Sequence, residues 1–210
     1  MSVSNNNANS VIVLDFETTG LSPYQGDRAI EIGAVKIENG LITDSFQELM
    51  NPGIRVDSFI EDYTGITNSM LKTAAPCAAA MDRFYDFIGS SNLVAHNASF
   101  DSKFLEVELK KIGHSVKGAF ACSMLIARRI YQNAPNHKLG TLVGYKNLPN
   151  DGTFHRALAD SQMTAHLWLE IINDIKTSHS LKSVSFELMQ KISRTPKQSV
   201  SKFLSRYSAP

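Results

Sequence analysis

Two kinds of hydrophobic patterning divide this chain. Near its start, Val11–Leu14 form an unbroken, β-branched apolar run that ends at Asp15-Phe16-Glu17, which predicts a buried strand over 11–17. A second strand is expected at 29–37 (AIEIGAVKI) and a third at 41–49 (LITDSFQEL). Asn39-Gly40 lies between them, the strongest short signal for a two-residue hairpin. The chain therefore opens as an antiparallel meander. Farther on the spacing becomes helical. Helices are expected at 78–89 and 99–112, separated by a short strand at 91–96 (SNLVAH). The 99–112 segment carries Phe100, Phe104, Leu105, Val107, Leu109 and Ile112, with Gly113 as its stop. Helical stretches follow near 122–132 and 138–145. A long one runs from Ala157 to Lys176, with Ala165, Leu167, Trp168, Ile171 and Ile172 on its apolar side. Three antiparallel strands followed by helix–strand–helix units imply an α/β fold, a mixed sheet flanked by helices.

The two ends depart from this pattern. Residues 1–10 are polar and Asn-rich and read as a disordered leader, so the domain is expected over 11–176. Residues 177–210 hold six Lys or Arg against the single acid Glu187, and read as a basic, Ser-rich tail with one short helix near 184–193. The 210 residues, 43% hydrophobic and 20% charged, suit one globular domain with a substantial core. No apolar run approaches the roughly 20 residues that span a bilayer. The N-terminus lacks the basic and apolar regions of a secretory signal. A cytoplasmic location without a membrane partner is the expectation. Cys77 and Cys122 stand 45 positions apart, which argues against a disulfide scaffold or a thiolate zinc site. The six histidines, at 96, 114, 137, 155, 166 and 179, show no zinc-ligand spacing. A net charge of +1 neither demands nor excludes a nucleic-acid partner.

The candidate chemistry lies in acids at element ends. Side chains alternate along a strand, so Asp15 and Glu17 share a face and repel each other unless a positive charge stands between them. Asp101 falls in the first turn of a helix directly after a strand. His155 precedes the long helix, and Asp160 lies about one turn inside it. Taken singly, each has an ordinary explanation: a solvated strand end, first-turn acids that complement a helix dipole, a loop histidine. Together, Asp15, Glu17, Asp101 and Asp160 sit where α/β folds build their ligand sites. Their oxygens suit Mg²⁺ or Mn²⁺. His155 is suited to act as a base, since imidazole in general titrates near neutral pH.

VLDFETTGL, IEIGAVKI, LVAHNASFD and HRALAD, in that order over about residues 11–173, resemble the DEDDh 3′→5′ exonucleases, among them the proofreading ε-type subunit of bacterial DNA polymerase III. The resemblance implies a ribonuclease H-like fold and a metal-dependent hydrolase that removes nucleoside 5′-monophosphates from a 3′ end. Asp15, Glu17, Asp101 and Asp160 match its metal-binding acids, for two Mg²⁺ or Mn²⁺, and His155 its general base. Thr18, Thr19, Gly20 and Leu21 match the loop that holds the terminal nucleotide, with Leu21 as a wedge against the bases. Ile66 matches an apolar contact to a base, and His96, Asn97 and Phe100 match positions around the nucleotide. The implied partner is the single-stranded or frayed 3′ end of DNA or of RNA. Two alternatives stay open: an RNA-trimming exoribonuclease, and an accessory subunit whose basic tail recruits it to a polymerase.

Overall fold

The computed structural model describes residues 6–150, 152 and 155–207. The meander forms as expected. β1 (Val11–Thr18) pairs antiparallel with β2 (Ala29–Glu38), and β2 with β3 (Leu41–Asn51), through a turn at Asn39-Gly40. After β3 come two short helices that the hydrophobic pattern does not announce, α1 (Ser58–Thr64) and α2 (Asn68–Thr73), each N-capped by a side chain, Asp57 and Thr67. They lead through the two-residue β4 (Ala75–Pro76) into α3 (Cys77–Ile88). The chain continues through β5 (Leu93–Ala95), α4 (Asp101–Lys111), β6 (Phe120–Cys122), α5 (Ser123–Ile130), α6 (Leu139–Tyr145) and α7 (Ala157–His179). Among the described residues the sheet has six strands in the order β4-β3-β2-β1-β5-β6, with β5 and β6 parallel to β1.

The two faces of β1 decide where the site lies. Ile12, Leu14 and Phe16 pack with α3 and α4 in one core. Val11 and Val13 pack with Ala165, Leu167, Trp168 and Ile171 of α7 in another. Side chains alternate, so Asp15 and Glu17 continue the Val11–Val13 row and face the helix that carries Asp160. Gly33, opposite Asp15 in the ladder, permits that approach: a Cβ there would lie 2.1 Å from the Leu158 backbone nitrogen. Ser161 Oγ donates to Gly33 O at 2.9 Å, seating the first turn of α7 on the strand.

Two boundary expectations need correction. Residues 177–207 are not a separate tail. α7 runs to His179, and α8 (Phe186–Arg194) and α9 (Val200–Leu204) follow. Leu181, Val184, Phe186, Leu188, Met189, Ile192, Val200 and Leu204 are all buried in the α7 core. Basic and Ser residues dominate the composition there, yet the apolar minority falls at amphipathic spacing and is buried on one side. The 1–10 leader is also ordered where it is described; residues 1–5 lie outside the described residues. Ala8 is fully buried, its N–H donates to Val184 O, and its carbonyl accepts from Trp168 Nε1 at 2.8 Å. Asn6 O accepts from Phe186 N, so residues 6–8 are tied to the segment that leads into α8. None of the described helices is long and apolar enough to cross a membrane.

Candidate active site

β1 delivers Asp15 and Glu17 to the mouth of a cleft of about 1020 Å³, which Asp101, Asp160 and His155 also line. Carboxylate oxygens of Asp15, Glu17 and Asp160 all lie within 4.8 Å of one another. Asp101, fully buried at the start of α4, accepts the Phe16 N–H at 3.2 Å, which ties it to the strand between the other two acids. Neighbouring charges and burial act in the same direction. Burial, then the charges of Asp101, Glu17 and Asp160, raise the Asp15 carboxyl well above the usual range. Burial, then Asp160, Glu31 and Asp101, push Glu17 up to about 8. Asp101 is pushed up to about 7 by burial, against the pull of backbone hydrogen bonds, and burial raises Asp160 as well. A cluster of hard oxygen donors that repel each other in this way fits divalent cations such as Mg²⁺ or Mn²⁺.

His155 sits at φ +60°, its N–H on Asp160 Oδ2 at 3.0 Å, with an exposed ring. The ring packs on Tyr63 of α1, centroids 4.1 Å apart, and Tyr63 in turn stacks on Phe59. Charge sequesters on the neighbouring strand: Glu31 is fully buried, and accepts from Arg156 twice (2.8 and 3.1 Å), from the Ala157 N–H and from Gln47. Glu31 thus anchors the start of α7, three residues before Asp160, and takes no place among the clustered acids. The sequence reading gave Glu31 and Arg156 no role; the signal was Glu31 itself, an acid inside an otherwise apolar strand, which requires a cationic partner.

The loop after β1 is held in shape. Thr18 Oγ1 donates to Gly20 O at 2.6 Å, and Asp27 accepts from Ser22 N and Thr19 Oγ1. A Cβ at Gly20 would come within 2.4 Å of the Asp27 carboxylate. Thr18, Gly20 and Leu21 line the cleft, and Leu21 stands 84% exposed at its lip. Asn97 and Phe100 line it too. Three expected contacts differ. Thr19 turns away from the cleft, its hydroxyl spent on Asp27 and the Arg28 N–H. Ile66 is fully buried with Ile30, Val56 and Leu71, so it cannot touch a base; Phe59, Ile60 and Tyr63 of α1 form that wall instead. The sequence reading missed them because α1 itself was not predicted. His96 lines the cleft but has both nitrogens engaged, by Ser123 Oγ and His137 O, each at 2.9 Å. Burial lowers its pKa to about 4, so it stays neutral and braces β5 against α5 and the loop before α6.

Comparison with known proteins accords with this geometry. A family model described as Exonuclease, that of RNase T, matches residues 12–168. The chain is 39% identical over 177 residues to a DNA polymerase III PolC-type of Caldanaerobacter subterraneus subsp. tengcongensis, a match that covers 83% of this chain and 12% of that protein. It is 35% identical over 174 residues to the 3′-5′ exonuclease DinG of Bacillus subtilis, covering 81% of this chain and 18% of that protein. The chain therefore spans less than a fifth of either relative. Among solved structures, Exonuclease X in complex with 5′ overhanging duplex DNA superposes with a TM-score of 0.68 at 26% identity, over 87% of this chain and 99% of that one. The nuclease domain of 3′hExo, a DEDDh family member bound to rAMP, superposes at 0.67 with 22% identity, over 79% and 92%, and shares the ribonuclease H-like fold.

Proposed function

This chain belongs to the Exonuclease (RNase T) family, and from that premise we propose that it hydrolyses the last phosphodiester bond at the 3′ end of a DNA strand and releases nucleoside 5′-monophosphates. The observation that carries the reading is the convergence of Asp15, Glu17 and Asp160 within 4.8 Å, with Asp101 bonded to the intervening strand. Those four carboxylates would hold two Mg²⁺ or Mn²⁺ ions. The ions, when bound, supply positive charge to the scissile phosphate and acidify the attacking water. The chain's own groups do the rest. His155, exposed on the cleft and fixed through its N–H to Asp160, accepts the proton of that water. The Thr18–Gly20 turn presents backbone to the terminal nucleotide, and Leu21 packs against its bases.

DNA is the favoured substrate because relatives over most of this chain are PolC-type DNA polymerase III, and Exonuclease X is bound to DNA. Discrimination against RNA rests on how the site meets a 2′-OH. The test is digestion of DNA and RNA oligonucleotides of matched sequence. Faster release from DNA by about tenfold or more, worth roughly 1.4 kcal/mol of barrier, supports the reading. Equal or faster release from RNA makes this an exoribonuclease.

A further inference from the structure

The cleft has two unlike walls, and the sheet order sets them on either side of β1. On the β3 side, α1 packs over β2 and β3 through Ile60 and presents Phe59 and Tyr63, 68% and 52% exposed. On the β6 side stand α5 and the loop that leads into α6. There the cleft is lined by Arg128 and Lys138. Arg128 is close enough to His96 to help lower its pKa, and His96 is tied to the backbone of His137, next to Lys138.

Both of these cations stand in the cleft wall without a carboxylate partner among the described residues. Arg28, Arg83, Lys111, Lys146, Arg156 and Lys191 are each paired with a carboxylate. Neither Arg128 nor Lys138 has an ion pair or a side-chain hydrogen bond to any described residue. Nor does either reach the acids of the floor, whose charges Arg128 and Lys138 do not offset. Aromatic faces on one side and, on the other, two unpaired positive charges beside Met124 and Leu139 complement a polynucleotide strand, which has bases along one edge and phosphates along the other. At about 1020 Å³ the cleft is at the top of the ~300–1,000 Å³ range of ligand pockets, too roomy for one nucleotide alone.

We propose that Arg128 and Lys138 bind the phosphates of the nucleotides preceding the terminal one, while Phe59 and Tyr63 face their bases. The proposal rests on the exonuclease reading above and adds what lies upstream of the reacting bond. Arg128 and Lys138 are positioning residues here: they set affinity for the strand and leave the chemical step alone.

The test compares the wild type with Arg128→Gln, Lys138→Gln and the double variant on two substrates. One is the p-nitrophenyl ester of thymidine 5′-monophosphate, which has nothing upstream; the other is an oligothymidylate of about ten nucleotides, long enough to run the full cleft. On the ester, kcat and KM are expected within about twofold of wild type. On the oligonucleotide, KM is expected to rise roughly fivefold per residue with kcat nearly unchanged, the order of a salt-screened phosphate contact. The salt dependence of binding should become shallower by about 0.7 in log–log slope per charge removed. Unchanged KM and salt slope on the oligonucleotide would overturn the proposal, as would an equal loss on both substrates. A wild type inactive on both would sink the exonuclease reading instead. Binding of a fluorescent oligothymidylate, which needs no turnover, then still judges the wall: weaker binding by the variants supports it, and equal binding overturns it.

Discussion

Replacing Asp15 by Asn should stabilise the metal-free protein while it abolishes catalysis. Asp15 stands among acids whose charged forms the fold disfavours. A carboxyl whose folded pKa lies above its unfolded one contributes stability below the unfolded value, and that stability is lost as pH rises through the folded value. Glu17 moves from 4.5 to about 8, and Asp101 from 3.8 to about 7. Between about pH 6.5 and pH 8 the unfolded chain has already released the Glu17 proton and the fold has not, so stability falls by about 1.4 kcal/mol per pH unit, or roughly 2 kcal/mol from Glu17 alone. His96 has the opposite sign. Its folded value of about 4 lies below 6.5, so its contribution is present above 6.5 and fades as pH falls, outside this window. The assay is thermal unfolding in EDTA across that range. For a chain of this size, roughly 2 kcal/mol corresponds to a Tm drop of about 4–8 °C for the wild type. Asp15→Asn removes one charge from the cluster and should flatten the slope and raise Tm at the alkaline end. Millimolar Mg²⁺ or Mn²⁺ should restore the wild type and do little for the variant. A wild-type Tm that stays flat or rises with pH, or a variant less stable than wild type in EDTA, would refute the electrostatic argument.

Other perturbations probe the supports of the site. Arg156→Ala leaves Glu31 buried without its cation, retaining only Gln47 and the Ala157 N–H; the expected loss is about 2–4 kcal/mol, read as a lower Tm in denaturation, with activity falling as α7 shifts Asp160. Gly33→Ala forces a Cβ to 2.1 Å from the Leu158 nitrogen, so the helix must move; a Tm within a degree or so of wild type would show the contact to be slack. His155→Gln should lower kcat by about 10²–10⁴-fold while the Tm gain from divalent cations persists, because the exposed ring is no part of the acid cluster. An unchanged kcat would assign the base elsewhere.

Much of this was legible in the chain because the informative residues sit on regular elements. Alternation along β1 puts Asp15 and Glu17 on one face whatever the tertiary structure, and the helix starts at Asp101 and Asp160 follow from local pattern. The misses fall where local pattern is weak. α1 and α2 are seven and six residues long, too short for periodicity to reveal, and with them went Phe59 and Tyr63. Ile66 was placed by motif alone, and only tertiary packing shows it buried. The C-terminal segment misled because composition averages over an amphipathic helix: Lys191 and Arg194 share α8 with the buried Leu188, Met189 and Ile192. That the partner of Glu31 is Arg156, 125 positions away, is a long-range fact that no local reading contains.

The most direct test of the central claim is digestion of a 5′-labelled single-stranded DNA oligonucleotide with Mg²⁺, with Mn²⁺ and with EDTA, alongside Asp15→Asn. The account predicts a ladder that shortens one nucleotide at a time from the 3′ end with either metal, and no ladder with EDTA or with the variant. A ladder that persists in EDTA, or that Asp15→Asn produces at the wild-type rate, would contradict it.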